Sequence, residues 1–318
     1  MYIVTGGAGF IGSWIVNELN KKGIKDILIV DKLRDQDKYK NLIGLDFEDY
    51  IDKDDFISRI RKNNFDHQVK VVLHMGACSA TTELDADYLI SNNYQYSKTL
   101  VKWSLEKEAR FIYASSAATY GDGSQGYSDR SDLKKLKPLN PYGFSKSIFD
   151  TWLEKNHLLS RTVGLKFFNV FGPNEDHKGD MRSVVKKAFE QIKSSKEVSL
   201  FKSYRDGFKD GEQLRDFIYI KDVINIIFFF LESSTKNGIF NVGTGVARSF
   251  NDLAKATFRN MNLESKINYI DMPEQLIKRY QYFTQAEMGK LFEAGYLKPF
   301  MTLEEGVMDY VLNYLLKE

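Results

Sequence analysis

The sequence predicts an α/β fold: a doubly wound parallel sheet with a smaller α/β substrate-binding portion. Two observations carry this. Through the first half, short β-branched runs alternate with segments whose apolar residues recur at helical spacing, the pattern of parallel strands joined by helical crossovers. The first run leads at once into Thr5-Gly6-Gly7-Ala8-Gly9-Phe10-Ile11-Gly12, which sets glycines at a strand-to-helix turn.

Taken in order, strands are expected at Tyr2 to Thr5, Asp26 to Asp31, Lys70 to Met75, Phe111 to Ser116 and Val163 to Val170. Helices are expected between them, as at Ile11 to Lys22 and Leu84 to Lys107. Beyond Pro173 the alternation becomes irregular and basic, aromatic loops appear, notably Lys202 to Arg215 and Ile277 to Thr284. No repeat, low-complexity tract or proline-rich linker separates the parts, so they should interweave. The expected division is 1–170 with 214–245 for the large sheet domain, and 171–213 with 246–318 for the smaller one.

The bulk numbers exclude several classes. At 318 residues, 43% hydrophobic and 28% charged, the chain can bury a large core and is not disordered. With 45 basic and 43 acidic residues the net charge is +2, so nothing calls for nucleic acid or an anionic membrane. Cys78 is the single cysteine; it can form no internal disulfide and fits no zinc spacing, so no metal is called for and a reducing compartment fits. The N-terminus shows no secretory signal, and the apolar run Ile224 to Leu231 is too short to span a bilayer. The cytoplasm is the expected location.

The glycines answer three needs: a tight turn, backbone approach to a pyrophosphate, and close helix–strand packing. The helix N-terminus behind them offers free N–H donors. Asp31 ends the second expected strand, where a carboxylate accepts hydrogen bonds from an adenosine ribose and by itself argues for NAD. Lys32, Arg34 and Lys38 follow immediately and could neutralise a 2′-phosphate, either as cofactor ligands or as an ordinary solvated loop. They must lie close if NADP is used, because two like charges about 4 Å apart cost about 4 kcal/mol at an effective dielectric near 20.

Ser115-Ser116 closes the expected strand Phe111 to Ser116, at the carboxyl edge where open parallel sheets bind ligands. Downstream, Pro141-Tyr142-Gly143-Phe144-Ser145-Lys146 puts a phenol and an ammonium four residues apart, on one helix face. A nearby ammonium favours phenolate and so makes the tyrosine a usable base. The spacing recurs at Tyr94 and Lys98, where position before the Ser116 strand favours a plain surface pair.

Together Thr5-Gly6-x-x-Gly9-x-x-Gly12, Ser115-Ser116-Ala117, Tyr142-x-x-x-Lys146 and Arg215-Asp216-Phe217-Ile218-Tyr219-Ile220-x-Asp222-Val223 resemble the extended short-chain dehydrogenase/reductases, the epimerase/dehydratase group with a Rossmann fold. Within it, Gly76-Ala77-Cys78-Ser79, Asn92-Asn93-Tyr94-Gln95-Tyr96-Ser97-Lys98, His177-Lys178-Gly179 and Arg279-Tyr280-Gln281 are similar to the branch that inverts C6 of ADP-heptose. The resemblance implies oxidation of that C6 hydroxyl by NADP and return of the hydride to the opposite face, supplying heptose to the lipopolysaccharide inner core. It implies Tyr142 and Lys178 as the two acid/base residues, Lys146 orienting the cofactor and Ser116 binding substrate.

It further implies a cofactor site of Gly6, Gly9, Phe10, Ile11, Gly12, Asp31, Lys32, Lys38, Lys53, Met75, Gly76, Ala77, Cys78, Ser79, Asn92 and Val170, with Tyr142, Lys146 and Lys178. The ADP-heptose site would take Ser116, Asn169, Lys178, Asp180, Lys187, Phe201, Arg215 and Tyr280, with Arg215 gripping the diphosphate. A homo-oligomer, a pentamer by resemblance, is implied as well. Asp180, Lys187 and the long Lys202 to Gln213 loop depart from the usual pattern. Two alternatives share the core motifs: a UDP- or dTDP-sugar 4-epimerase or dehydratase, and a non-catalytic NADP-binding regulatory protein. Lys178 argues against the first and the full catalytic set against the second.

Overall fold

The computed structural model describes residues 1–34, 37–277 and 280–317. Seven parallel strands form the main sheet: β1 (Tyr2–Thr5), β2 (Ile27–Asp31), β3 (Asp49–Asp52), β4 (Val71–His74), β5 (Arg110–Ser116), β6 (Thr162–Phe167) and, much later in the chain, β10 (Gly238–Val242). Their spatial order is β10-β6-β5-β4-β1-β2-β3, so the winding reverses between β1 and β4. Such reversals leave a crevice outside the carboxyl ends of the strands.

Strand side chains alternate between two covered faces. Val4, Ile27 and Ile29 join a core with α1 (Phe10–Lys21) and the later helix Ile220–Leu231, whereas Ile3, Leu28 and Val30 face α2 (Lys53–Arg61) and the helices that follow β4. Burial on both faces explains why β2 reads Ile-Leu-Ile-Val-Asp with no polar alternation.

Two expected elements differ from the structure. The strand expected at Val163 to Val170 divides at Phe168. Its first part stays in the main sheet as β6, and β7 (Asn169–Phe171) moves to a three-stranded sheet in which β9 (Leu214–Tyr219) lies between it and β11 (Ala247–Ser249). The Phe168 N–H still bonds to the Val242 carbonyl at 3.0 Å, and its ring packs among Tyr120 and Tyr127, which turns the chain out of the main sheet. The helix expected at Leu84 to Lys107 begins after Asp85, which caps the Tyr88 N–H. It runs as α3 (Ala86–Leu89), a widened π-type turn over Ile90–Gln95, and α4 (Tyr96–Glu106).

Of the remaining helices, one covers each face of the main sheet: Pro141–Lys155 packs on the Ile3 side and Ile220–Leu231 on the Val4 side. After α5 (Pro141–Lys155) come α6 (Val184–Ser195), β8 (Val198–Phe201), β9 (Leu214–Tyr219), α7 (Ile220–Leu231), β11 (Ala247–Ser249), α8 (Phe250–Asn260) and β12 (Ile267–Ile270). β12 pairs in parallel with β8, and α6 and α8 share a small core of Ala188, Ile192, Ala254 and Phe258.

Candidate functional site

β1 delivers the chain into a turn that only glycine fits. Gly6 has φ +68°, and a Cβ there would fall 2.7 Å from the Gly76 Cα across the β1–β4 crevice. A Cβ on Gly12 would lie 2.0 Å from the Gly6 carbonyl oxygen, so helix and turn pack backbone to backbone. Gly9 then starts α1 with no side-chain cap, leaving first-turn N–H groups open toward the crevice.

Asp31 is buried and fully engaged. Its carboxylate accepts from the Ala8 N–H (2.9 Å), the Lys32 N–H (2.7 Å) and the Lys38 ammonium (2.7 Å). The Lys53 ammonium donates to Asn92 Oδ1 at 2.6 Å, and Lys32 pairs with Asp54. Asp31, Lys32, Arg34, Lys38, Lys53, Cys78 and Asn92 together line a cavity of about 260 Å³.

Sequence reasoning missed the groups that hold the β4 side of this crevice. His74 is buried between the Thr5 hydroxyl (2.7 Å from Nδ1) and the Ser97 hydroxyl (2.8 Å from Nε2). The Gly76 N–H donates to Thr5 Oγ1 and Ser97 donates to the Asn93 carbonyl, so His74 accepts at Nδ1 and donates at Nε2. Burial pushes its pKa down to about 3, keeping it neutral. Asn93, beside the Asn92 singled out from the sequence, clamps both the N–H and the carbonyl of Cys78 at 2.9 Å and donates to Ser145 of α5.

α5 is started by Asn140, which caps the Gly143 N–H at 2.8 Å, with Pro141 in its first turn. Tyr142 and Lys146 then share a face. Burial raises the Tyr142 pKa, with the neighbouring Ser116 hydroxyl pulling the other way. Lys146 donates to the Ala114 carbonyl at 2.9 Å, and burial lowers it to about 8. Ser116 ends β5 and caps the following turn by accepting from the Ala118 N–H at 3.1 Å. Lys178 enters from the 3₁₀ segment Asp176–Met181, its ammonium 5.3 Å from the Phe10 ring centroid. Burial lowers its pKa, opposed by Glu175.

Arg215 is 7% exposed and lies between the rings of Phe250 (5.6 Å) and Tyr280 (5.1 Å). Its Nη1 donates to the Leu214 carbonyl, and among the described residues no carboxylate pairs with it. A buried, unneutralised guanidinium is poised for an anion from solution.

Ser116, Tyr142, Lys146, Lys178 and Arg215 all line one cleft of about 840 Å³. Gly6, Gly9, Phe10, Ile11, Gly12, Asp31, Lys38, Met75, Gly76, Ala77, Ser79, Asn169, Val170, Asp180, Lys187, Phe201 and Tyr280 line it too. The smaller cavity adjoins it through Gly6, Asp31, Gly76, His177 and Lys178, and it takes in Lys32, Lys53, Cys78 and Asn92. Lys187 is tied to the Asp180 carbonyl. Lys202 pairs with Asp271 and lines neither cavity. Lys98 stacks on the Tyr94 and Trp152 rings, away from both cavities. Arg279 lies outside the described residues.

The NAD dependent epimerase/dehydratase family profile matches residues 2–243. The chain belongs to this family. A relative from Fusobacterium nucleatum, an ADP-L-glycero-D-manno-heptose-6-epimerase, is 54% identical over 100% of this chain and 99% of its own length. Another of that name, from Nitratidesulfovibrio vulgaris, is 53% identical over 99% of this chain and 98% of its own. The crystal structure of the Helicobacter pylori ADP-L-glycero-D-manno-heptose-6-epimerase aligns with a TM-score of 0.83 at 31% identity, covering 98% of this chain and 95% of that one. The family is built around a nicotinamide dinucleotide, and the Gly6–Gly76 cradle with its open helix N-terminus fits one. Among the described residues no helix is long and apolar enough to cross a membrane, and no His, Cys, Asp and Glu cluster could hold a metal ion.

Proposed function

We propose that the chain interconverts ADP-D-glycero-β-D-manno-heptose and ADP-L-glycero-β-D-manno-heptose at C6, with NADP as the retained cofactor. The carrying observation is that Tyr142 and Lys178 line one cleft in a chain 54% identical over its full length to an enzyme of that name. When bound, the nicotinamide takes hydride from C6 and gives it back, so no net oxidation results.

The protein's own groups do the rest. Tyr142 and Lys178 serve as the two acid/base residues, one for each face of C6, which lies outside the sugar ring and can be re-presented by a modest rotation. A buried phenol at neutral pH is a weak base; the Ser116 hydroxyl beside it favours its ionised form, and an ammonium one turn along the helix, as Lys146 is, acts in the same direction by the general rule. Ser116 orients the reacting oxygen, and Arg215 holds the diphosphate. The lowered pKa of Lys178 brings an ammonium closer to the range where it can give and take protons.

The reading of NADP over NAD rests on Asp31. Its carboxylate is already turned to the Ala8 N–H and neutralised by Lys38, while Lys32, Lys53 and Arg34 line the cavity beside it. We also assign the main sheet to cofactor binding and the later elements to substrate, place the enzyme in the cytoplasm, and assign it a homo-oligomeric state. The test is to incubate cofactor-loaded protein separately with ADP-D-glycero-β-D-manno-heptose and UDP-galactose and resolve the products chromatographically. Turnover of the heptose alone supports the reading; turnover of UDP-galactose alone overturns it.

A further inference from the structure

Beneath Tyr142 and Lys146, one turn further along the same face of α5, lies Asp150. It is 1% exposed and accepts from three groups: the Tyr113 hydroxyl (2.9 Å), the Ser115 hydroxyl (2.7 Å) and the Lys166 ammonium (2.9 Å). Lys166 rises from β6 with no exposed surface, donates to Thr119 Oγ1 at 2.6 Å and sits 5.0 Å from the Tyr120 ring centroid. The Thr119 hydroxyl donates in turn to the Ser116 carbonyl at 2.8 Å. One buried ion pair thus ties together helix α5, the end of β5, β6 and the turn after Ser116. A buried pair adds little stability over well-packed apolar residues, so its use here is better sought in orientation.

We propose that Asp150 and Lys166 are positioning residues for the reaction, locking the Tyr142–Lys146 helix to the Ser116 strand end and balancing the charge presented to Tyr142 from below. The inference rests on Tyr142 acting as an acid/base residue. The titratable groups facing Tyr142 and Lys146 are Cys78 from the loop after β4, His74 from β4 and Asp150 from their own helix. Facing Asp150 are Lys166 from β6, Tyr113 from β5 and Tyr120 from the turn beyond it. Asp150 by itself disfavours the Tyr142 phenolate; Lys166 offsets it.

The two charges must therefore act with opposite sign. Eight helical residues span about 12 Å, and a unit charge at that distance moves a titration by roughly one pH unit at an effective dielectric near 20. In cofactor-loaded enzyme acting on ADP-D-glycero-β-D-manno-heptose, Asp150→Asn should move the acid limb of the kcat–pH profile about one pH unit lower. Lys166→Met should move it about one unit higher. The double variant and Lys166→Arg should keep the wild-type position. The phenolate absorbance lost in the matching Tyr142→Phe protein should move in the same directions, a readout independent of turnover. Displacement in one common direction, or none, overturns the proposal. If a single variant cannot hold cofactor, the other two decide: Lys166→Arg at wild-type kcat with the double variant at least roughly tenfold lower at unchanged KM upholds it. A double variant that turns over like wild type overturns it. An inactive wild type would instead sink the parent reading, a result distinct from an active enzyme whose profile ignores both charges.

Discussion

Replacing Lys38 with methionine should change which cofactor the enzyme prefers. In the structure the Lys38 ammonium stands 2.7 Å from Asp31 Oδ1 and both side chains are largely buried, 17% and 6% exposed. Removing the ammonium leaves Asp31 with only its two backbone donors and, on the proposed NADP reading, would take away a charge-assisted contact to the 2′-phosphate, worth about 1.5–3 kcal/mol. NADP affinity should then fall roughly 10- to 150-fold. NAD carries no phosphate there and would find the Asp31 carboxylate free to accept from a ribose hydroxyl, so its affinity should stay within about threefold. Lys32 and Lys53 remain and keep the loss finite. Calorimetric titration of cofactor-free wild type and variant with each dinucleotide gives both dissociation constants. Equal losses for NADP and NAD, or no loss for either, would refute the assignment of this cavity to the phosphate.

Four further outcomes follow from the same geometry. Tyr142→Phe should lower kcat by about 10²- to 10⁴-fold while cofactor stays bound, checked by turnover and by cofactor released on denaturation. Lys178→Met should likewise reduce epimerisation without loss of cofactor; unchanged turnover would remove Lys178 from its role. Gly6→Ala forces a side chain into the left-handed region against Gly76 and should abolish cofactor retention, read as loss of the cofactor-dependent rise in melting temperature. The fourth concerns stability and pH. Folded Lys146 gives up its proton near pH 8, whereas the unfolded chain keeps it to about 10.5, so between those values the unfolded state holds more protons and stability climbs with pH. Cofactor-free wild type should therefore gain roughly 3 kcal/mol relative to Lys146→Met as pH rises from 8 toward 10.5, measured by denaturant unfolding.

What the sequence revealed was the part governed by local rules. The glycine turn, the carboxylate closing β2 and the Tyr142–Lys146 helix pair are each written in a few consecutive residues, and each lies at the crevice. β3 (Asp-Tyr-Ile-Asp) was not legible because a short edge strand needs no apolar run. The break at Phe168 was hidden because no glycine or proline separates β6 from β7; only the Val242 partner, some seventy residues away, ends the ladder. The Thr5–His74–Ser97 chain, the Asn93 clamp and the Asp150–Lys166 pair depend on residues far apart in sequence, so no spacing could announce them. Arg215 could be singled out by resemblance, but its lack of a carboxylate partner is a fact of packing.

On the proposed mechanism hydrogen leaves C6 and returns to its other face within one cleft, without passing to water. Running the epimerisation of ADP-D-glycero-β-D-manno-heptose in heavy water and examining the product by mass spectrometry tests it directly. The product should be the inverted sugar with no deuterium on C6. Deuterium at C6 in the product, or recovery of unchanged substrate from cofactor-loaded enzyme, would contradict it.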